Sequence, residues 1–173
     1  MPGSSRPDGI NKEHERAQAG LARHANLVPI AALTLLMLAA LLGFAGHEVT
    51  LDAGGGGVTA TWHAPELIRN GEFFEIRLDI VAERTIGNLT IEIPASLWED
   101  ITINTLIPGP SDEASEDGVF RFGYGSLEAG SAFLLKVDGQ INPDIFGPNA
   151  GTVRVLDGEE ELVAIPVRIE VLP

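Results

Sequence analysis

The chain has 173 residues, with 25 Asp and Glu against 11 Lys and Arg, and a formal charge of −14. It contains no cysteine, which excludes disulfides, thiolate nucleophiles, zinc–thiolate sites and iron–sulfur clusters. The acidic excess repels polyphosphate and argues against a nucleic-acid partner.

The charge is unevenly spread. Met1–Asn26 holds Arg6, Lys12, Arg16 and Arg23 against Asp8, Glu13 and Glu15, so 7 of the 11 basic and 22 of the 25 acidic residues fall after it. No Asp, Glu, Lys or Arg lies between Arg23 and Glu48. Inside that gap Leu27–Ala45 reads LVPIAALTLLMLAALLGFA. As a helix its 19 residues span roughly 28 Å, close to the ~30 Å hydrocarbon core of a bilayer. The sequence therefore predicts a transmembrane helix over 27–46, with residues 27–45 in the lipid bilayer. Pro29 fits its first turn, with Asn26 as N-cap. Lys12, Arg16 and Arg23 flank its N-terminal end, while the first basic residue beyond it is Arg69. The positive-inside rule then sets residues 1–26 as a cytoplasmic tail and the rest as periplasmic or extracellular. The competing reading is a cleaved signal peptide with Gly43 and Ala45 at the cleavage site. The long leader, the long apolar run and Phe44 favour an uncleaved anchor.

Residues 47–57 end in four glycines and read as a spacer. The domain over 58–173 follows with period-two patterning. Val58–His63 is a first strand. In Glu72–Ala82, Phe74, Ile76, Leu78 and Ile80 face one way and Glu75, Arg77 and Asp79 the other. Asn88–Ile93 puts Leu89, Ile91 and Ile93 inward and Thr90 and Glu92 outward. Ile101–Leu106, Val119–Phe122 and Ala132–Val137 follow. Thr152–Leu156 and Leu162–Val171 are joined around Asp157-Gly158, a hairpin turn. Pro166 marks an edge or a bulge. Leu97–Asp100 reads as a short helical turn. The half-polar alternation predicts an all-β, antiparallel sandwich of about seven or eight strands, immunoglobulin-like in size, behind one N-terminal transmembrane helix. A closed barrel is the alternative.

Asn70–Glu72, the strand to Ala82, Asn88–Pro94, FRFGYGSLEAG over 120–130 and Phe133–Val137 together resemble bacterial immunoglobulin-like surface repeats, of the fibronectin type III kind. The resemblance rests on the GSLEAG turn of 125–130 between strands. It implies a β-sandwich module and transfers no ligand residues.

Candidate sites are few. His47 and His63 match no zinc spacing. Ser126 lies in YGSLEAG, which is not a nucleophile elbow. No catalytic residue and no cofactor is expected. Calcium takes six to eight convergent oxygens. Asp112, Glu116 and Asp117 in the 108–118 loop are the candidates, although they lack the EF-hand spacing and solvated acids are the plainer reading. Phe73, Trp98, Ile145 and Phe146 are the candidate partner-binding residues. Core packing is the plainer reading of both tryptophans. The expected function is a noncatalytic, membrane-anchored, extracytoplasmic binding or accessory module for another envelope protein. The alternatives are a calcium- or glycan-binding module, a secreted form, or an enzyme built on carboxylates alone.

Overall fold

The structure is a computed structural model and describes residues 27–42, 47–142 and 147–172. It divides into two compact units, Met1–Ala45 and Gly46–Pro173.

In the first unit, Leu27–Leu41 forms helix α1. Leu42 adds one more bond, donating its N–H to the Leu38 carbonyl at 2.9 Å. No residue of α1 is buried. Its one hydroxyl, on Thr34, donates to the Ile30 carbonyl at 2.8 Å and so is satisfied within the helix. The helix has 15 residues, about 22 Å of rise. Among the described residues no helix is long and apolar enough to cross a membrane. The transmembrane helix expected over 27–46 is therefore not supported at that length. The last residues of that expectation, 43–46, lie outside the described residues.

The second unit is built almost wholly of strands. Its elements in chain order are β1 (Glu48–Gly55), β2 (Val58–Pro65), β3 (Leu67–Arg69), β4 (Phe73–Ala82), β5 (Ile86–Pro94), α2 (Ala95–Trp98), β6 (Ile101–Ile107), β7 (Asp112–Glu116), β8 (Val119–Leu127), β9 (Ala132–Ile141), β10 (Gly147–Asp157) and β11 (Glu160–Leu172). One sheet has the order β1-β2-β4-β9-β6 and the other β3-β11-β10-β5-β8-β7. All pairings are antiparallel except β3 with β11.

The two sheets share one core. Ile76, Leu78 and Ile80 of β4 and Leu135 and Val137 of β9 are closed off from solvent, as are Leu89, Ile91 and Ile93 of β5 and Val153 and Val155 of β10. Those of β4, β5 and β9 are the positions that the alternation sets on one face. Each such side chain contributes roughly 1.5–3 kcal/mol by leaving water. Trp62 and Trp98 both belong to this core.

Three strands were not anticipated: β1, β3 and β7. All three are terminal in their sheets. An edge strand buries little and carries a faint period-two pattern. β3 has three residues, and all five residues of β7 are exposed.

Residues 47–57 are accordingly not a spacer. Glu48–Gly55 pairs along β2 in continuous register. Gly56 and Gly57 form the two-residue hairpin turn, with φ of 55° and 77°, the left-handed pair that favours glycine. A Cβ on Gly56 would lie 2.9 Å from Leu162 Cα, so this turn is also packed against β11.

Other turns follow their sequence signals. Gly158 and Glu159 connect β10 to β11, with Gly158 at φ 62°. At GSLEAG, the N–H of Ser131, just after the motif, donates to the Glu128 carbonyl at 3.0 Å, and Gly130 has φ 79°. β3 pairs only with Glu170–Leu172, which leaves Pro166 on an unpaired side of β11, where its missing N–H costs nothing. The helical turn is α2, held by Asn149, whose Nδ2 donates to the Leu97 and Glu99 carbonyls at 3.3 and 2.9 Å.

Candidate functional site

Among the described residues, the predicted site residues lie on separate elements, Phe73 on β4, Trp98 on α2, Asp112 and Glu116 on β7. Phe73 opens β4 opposite Gln140 and is 70% exposed. Trp98 is buried, with its ring 5.7 Å from both Phe120 and Phe122. Trp98 is thus a core residue rather than a surface anchor. The helical turn folds it inward, and its Nε1 has no partner among the described residues. Ile145 and Phe146 lie outside the described residues.

Asp112 and Glu116 sit at the two ends of β7, and Asp117 follows in the turn to β8 with φ 52°. Four residues of strand separate the two carboxylates by roughly 13 Å along the chain. The segment read as a loop that folds around an ion is instead a hairpin arm, which spreads its oxygens. Among the described residues no group of three or more His, Asp or Glu side chains is placed to hold a metal ion.

What the sheets do bring together is charge. On the outer face of the five-stranded sheet, Thr50, His63, Arg77 and Lys136 stand side by side across β1, β2, β4 and β9. His63 Nδ1 lies 3.1 Å from Thr50 Oγ1 and 3.3 Å from Glu48 Oε1, and its Nε2 is 3.5 Å from Asp79 Oδ2. Among the described residues this is the nearest approach to a hydroxyl–imidazole–carboxylate set. Asp79 does stand at the ring nitrogen opposite the hydroxyl, but at 3.5 Å, while Glu48 competes with Thr50 for Nδ1 and is itself paired with Arg77, so the set is an ion-pair cluster on an open sheet face. Arg77 donates to Glu48 at 2.6 Å, and this hydrogen bond raises the guanidinium pKa above its ordinary value. Lys136 and Glu75 meet at 3.3 Å. The group works as a cross-strand clasp on β1.

On the outer face of the six-stranded sheet, Arg154, Glu92 and Arg121 align across β10, β5 and β8. Glu92 is 6% exposed, although the alternation assigns it to a wet face. The two arginines cover it. Arg121 lies 2.7 Å from one carboxylate oxygen and Arg154 3.9 Å from the other. Each arginine also reaches the β10–β11 hairpin, Arg121 to Glu159 at 3.0 Å and Arg154 to Glu161 at 2.9 Å. The Arg121 pKa is raised, first by its hydrogen bond to Glu159 and then by the charge of Glu92. Thr90 is buried beside this row.

Between the sheets, Arg84 donates to the Gly56 carbonyl at 2.8 Å and to Asp157 at 3.1 Å. It thereby ties the β1–β2 hairpin to the β10–β11 hairpin. Asp157 also accepts from the Asn88 N–H at 2.9 Å. That backbone bond, with smaller help from Arg84 and the Gly87 N–H, holds the Asp157 carboxyl below its usual range against the opposing effect of burial.

Sequence reasoning missed the Arg121–Glu92–Arg154 row and the Arg84 clasp. Their partners lie 28 to 73 positions apart, and only the pairing of the strands and their turns unites them.

Tyr124 stacks on Phe133 across the sheets at 4.7 Å. Burial, with the charge of Glu113, pushes its hydroxyl up to about 12. That hydroxyl has no partner among the described residues.

No family model matches the chain, and no curated protein does. Among solved structures, the crystal structure of the C-terminal domain of wzt aligns over 75% of this chain and 81% of its own, with 12% identity and a TM-score of 0.36.

Proposed function

We propose that the protein is a noncatalytic binding or accessory module, tethered by its apolar segment to a membrane and carrying an immunoglobulin-like sandwich on the extracytoplasmic side. The observation that carries the reading is α1. A soluble helix hides its apolar stripe against a core. In α1 no residue is buried, and Leu27, Val28, Ile30, Leu33, Leu35 and Leu36 are each more than half exposed. Hydrocarbon is the solvent that suits such a surface. The uncharged run continues to Glu48, and the flanking Lys12, Arg16 and Arg23 favour a cytoplasmic N-terminus. The immunoglobulin-like reading is supported by two largely antiparallel sheets around one core, with GSLEAG as a turn.

The noncatalytic part of the proposal rests on how the polar side chains are spent. Glu48, Glu75, Glu92 and Asp157 are committed to ion pairs. The partner is another envelope protein. Crosslinking in native membranes, followed by mass spectrometry, tests this. A second polypeptide joined to the 48–172 domain is the expected result. Recovery of uncrosslinked monomer alone counts against it.

A further inference from the structure

The sheet edges of the sandwich are not equivalent. β6 is bulged between Ile103 and Thr105 and leads into Pro108. β3 has only three residues. β1 ends with Gly55 so close to β11 that a Cβ there would lie 2.7 Å from the Leu162 carbonyl oxygen, and its acids are already engaged, Glu48 by Arg77 and Asp52 by Thr61. Bulges, shortness, covering and charged side chains are the devices that blunt a strand edge. Of these β7 has the charge alone, which guards it against like-charged strands and leaves it open to cationic ones. It pairs with β8 in unbroken register, contains no proline and exposes all five residues.

Its charge is also unspent. Among the described residues, Asp112, Glu113 and Glu116 form no ion pair or side-chain hydrogen bond, unlike the acids on β1, β4 and β5. No basic residue lies on β7. Charge chooses the occupant. A second copy of the chain, paired antiparallel about Ala114, sets Asp112 opposite Glu116 and places like charges face to face, which is destabilising. A strand with basic residues at alternate positions meets the opposite condition. Behind the edge, Glu113 and Ser115 stand beside Phe122 and Phe120. Phe120 is partly buried and packs on Trp98, so β8 holds β7 from the core side.

We infer that β7 is a strand-addition site for an extended, cationic segment of a partner polypeptide. The added strand takes main-chain hydrogen bonds from the edge of β7 away from β8, and its basic side chains at alternate positions pair with Asp112 and Glu116, which share one face of β7. The inference rests on the binding role proposed above and names its surface.

The test uses the full chain in detergent micelles. The probe is an acetylated, amidated Arg-Thr-Arg-Val-Arg-Thr peptide, and hydrogen exchange is read by mass spectrometry. A copy N-methylated at alternate amides keeps the charge and loses the strand pairing. The expected result is slowed exchange confined to 112–116 and its flanks, abolished by N-methylation. Asp112→Lys with Glu116→Lys weakens binding by about tenfold, since two exposed pairs are lost. Both sites are exposed, and unchanged exchange elsewhere reports that the variant folds. Equal protection by the N-methylated peptide, protection spread over other acidic segments, or none at roughly 1 mM peptide overturns the inference. Crosslinks to a membrane partner that avoid β7 overturn it while leaving the binding role intact.

Discussion

Two arginines placed in the middle of α1 should release the protein from the membrane. The helix carries eight Leu, Ile and Val residues. At ~0.3–0.6 kcal/mol each, they favour insertion by about 2–5 kcal/mol. Leu35 and Leu36 are central and 72% and 66% exposed, so changing them disturbs no packing. Leu35→Arg with Leu36→Arg removes about 1 kcal/mol of that and adds roughly 5–7 kcal/mol of cost. The balance then lies against insertion by about 1–6 kcal/mol. Leu35→Ala with Leu36→Ala removes the leucines without adding charge and should leave insertion favourable. The assay is alkaline extraction of membranes with quantitative immunoblotting. Wild type and the alanine pair stay in the pellet, and the arginine pair moves to the supernatant. An arginine pair retained as firmly as wild type refutes the reasoning, and so does wild type in the supernatant. Urea unfolding followed by fluorescence of the buried Trp62 and Trp98 should be unchanged, because the substitutions lie in the other compact unit.

Within the sandwich, Gly139 leaves room for the ring of Phe74 on the facing strand. A Cβ there would lie 2.6 Å from the ring, so Gly139→Ala should cost about 1–3 kcal/mol in urea unfolding. In a Phe74→Ala background the same change should cost nothing or stabilise slightly; an equal cost in both backgrounds would sink the explanation. Ile91→Ala empties part of a fully buried site and should cost about 2–5 kcal/mol by the same assay. Asp157 has a lowered folded pKa, so its contribution is present above the unfolded value near ~3.9 and fades as pH falls through the folded one. The stability gap between wild type and Asp157→Asn should therefore be flat from about pH 5 to 8 and narrow below about pH 4; a gap that persists unchanged there contradicts the assignment. Glu92→Ala should destabilise, whereas Glu92→Leu should recover much of the loss by filling the same space with apolar surface; equal losses in the two variants would show that the charge rather than the packing matters.

The central strands were legible because both faces of β4 obey one rule. Ile76, Leu78 and Ile80 go to the core, and Glu75, Arg77 and Asp79 go to water. The edges were not, since a strand such as DEASE buries nothing and its existence depends on β8 beside it. The glycine run misled for the opposite reason. The composition of a flexible linker is also what a tight turn against Leu162 requires. Glu92 defeated the alternation because the arginines that cover it come from strands on either side. Of the candidate residues, Phe73 shows the outward position that the period assigns it. Trp98 followed α2 into the core, and Asp112 and Glu116 were separated by a strand that no local signal announced.

The absence of native cysteine allows the arrangement of tail, apolar segment and domain to be measured with single introduced thiols. Ala114→Cys lies on exposed β7, and Ser4→Cys lies in the basic tail. In intact cells with a permeabilised outer barrier, a membrane-impermeant maleimide should label Ala114→Cys at once and Ser4→Cys only after lysis. Labelling of Ser4→Cys before lysis, or of Ala114→Cys only after it, contradicts the account of an outward-facing, membrane-tethered sandwich.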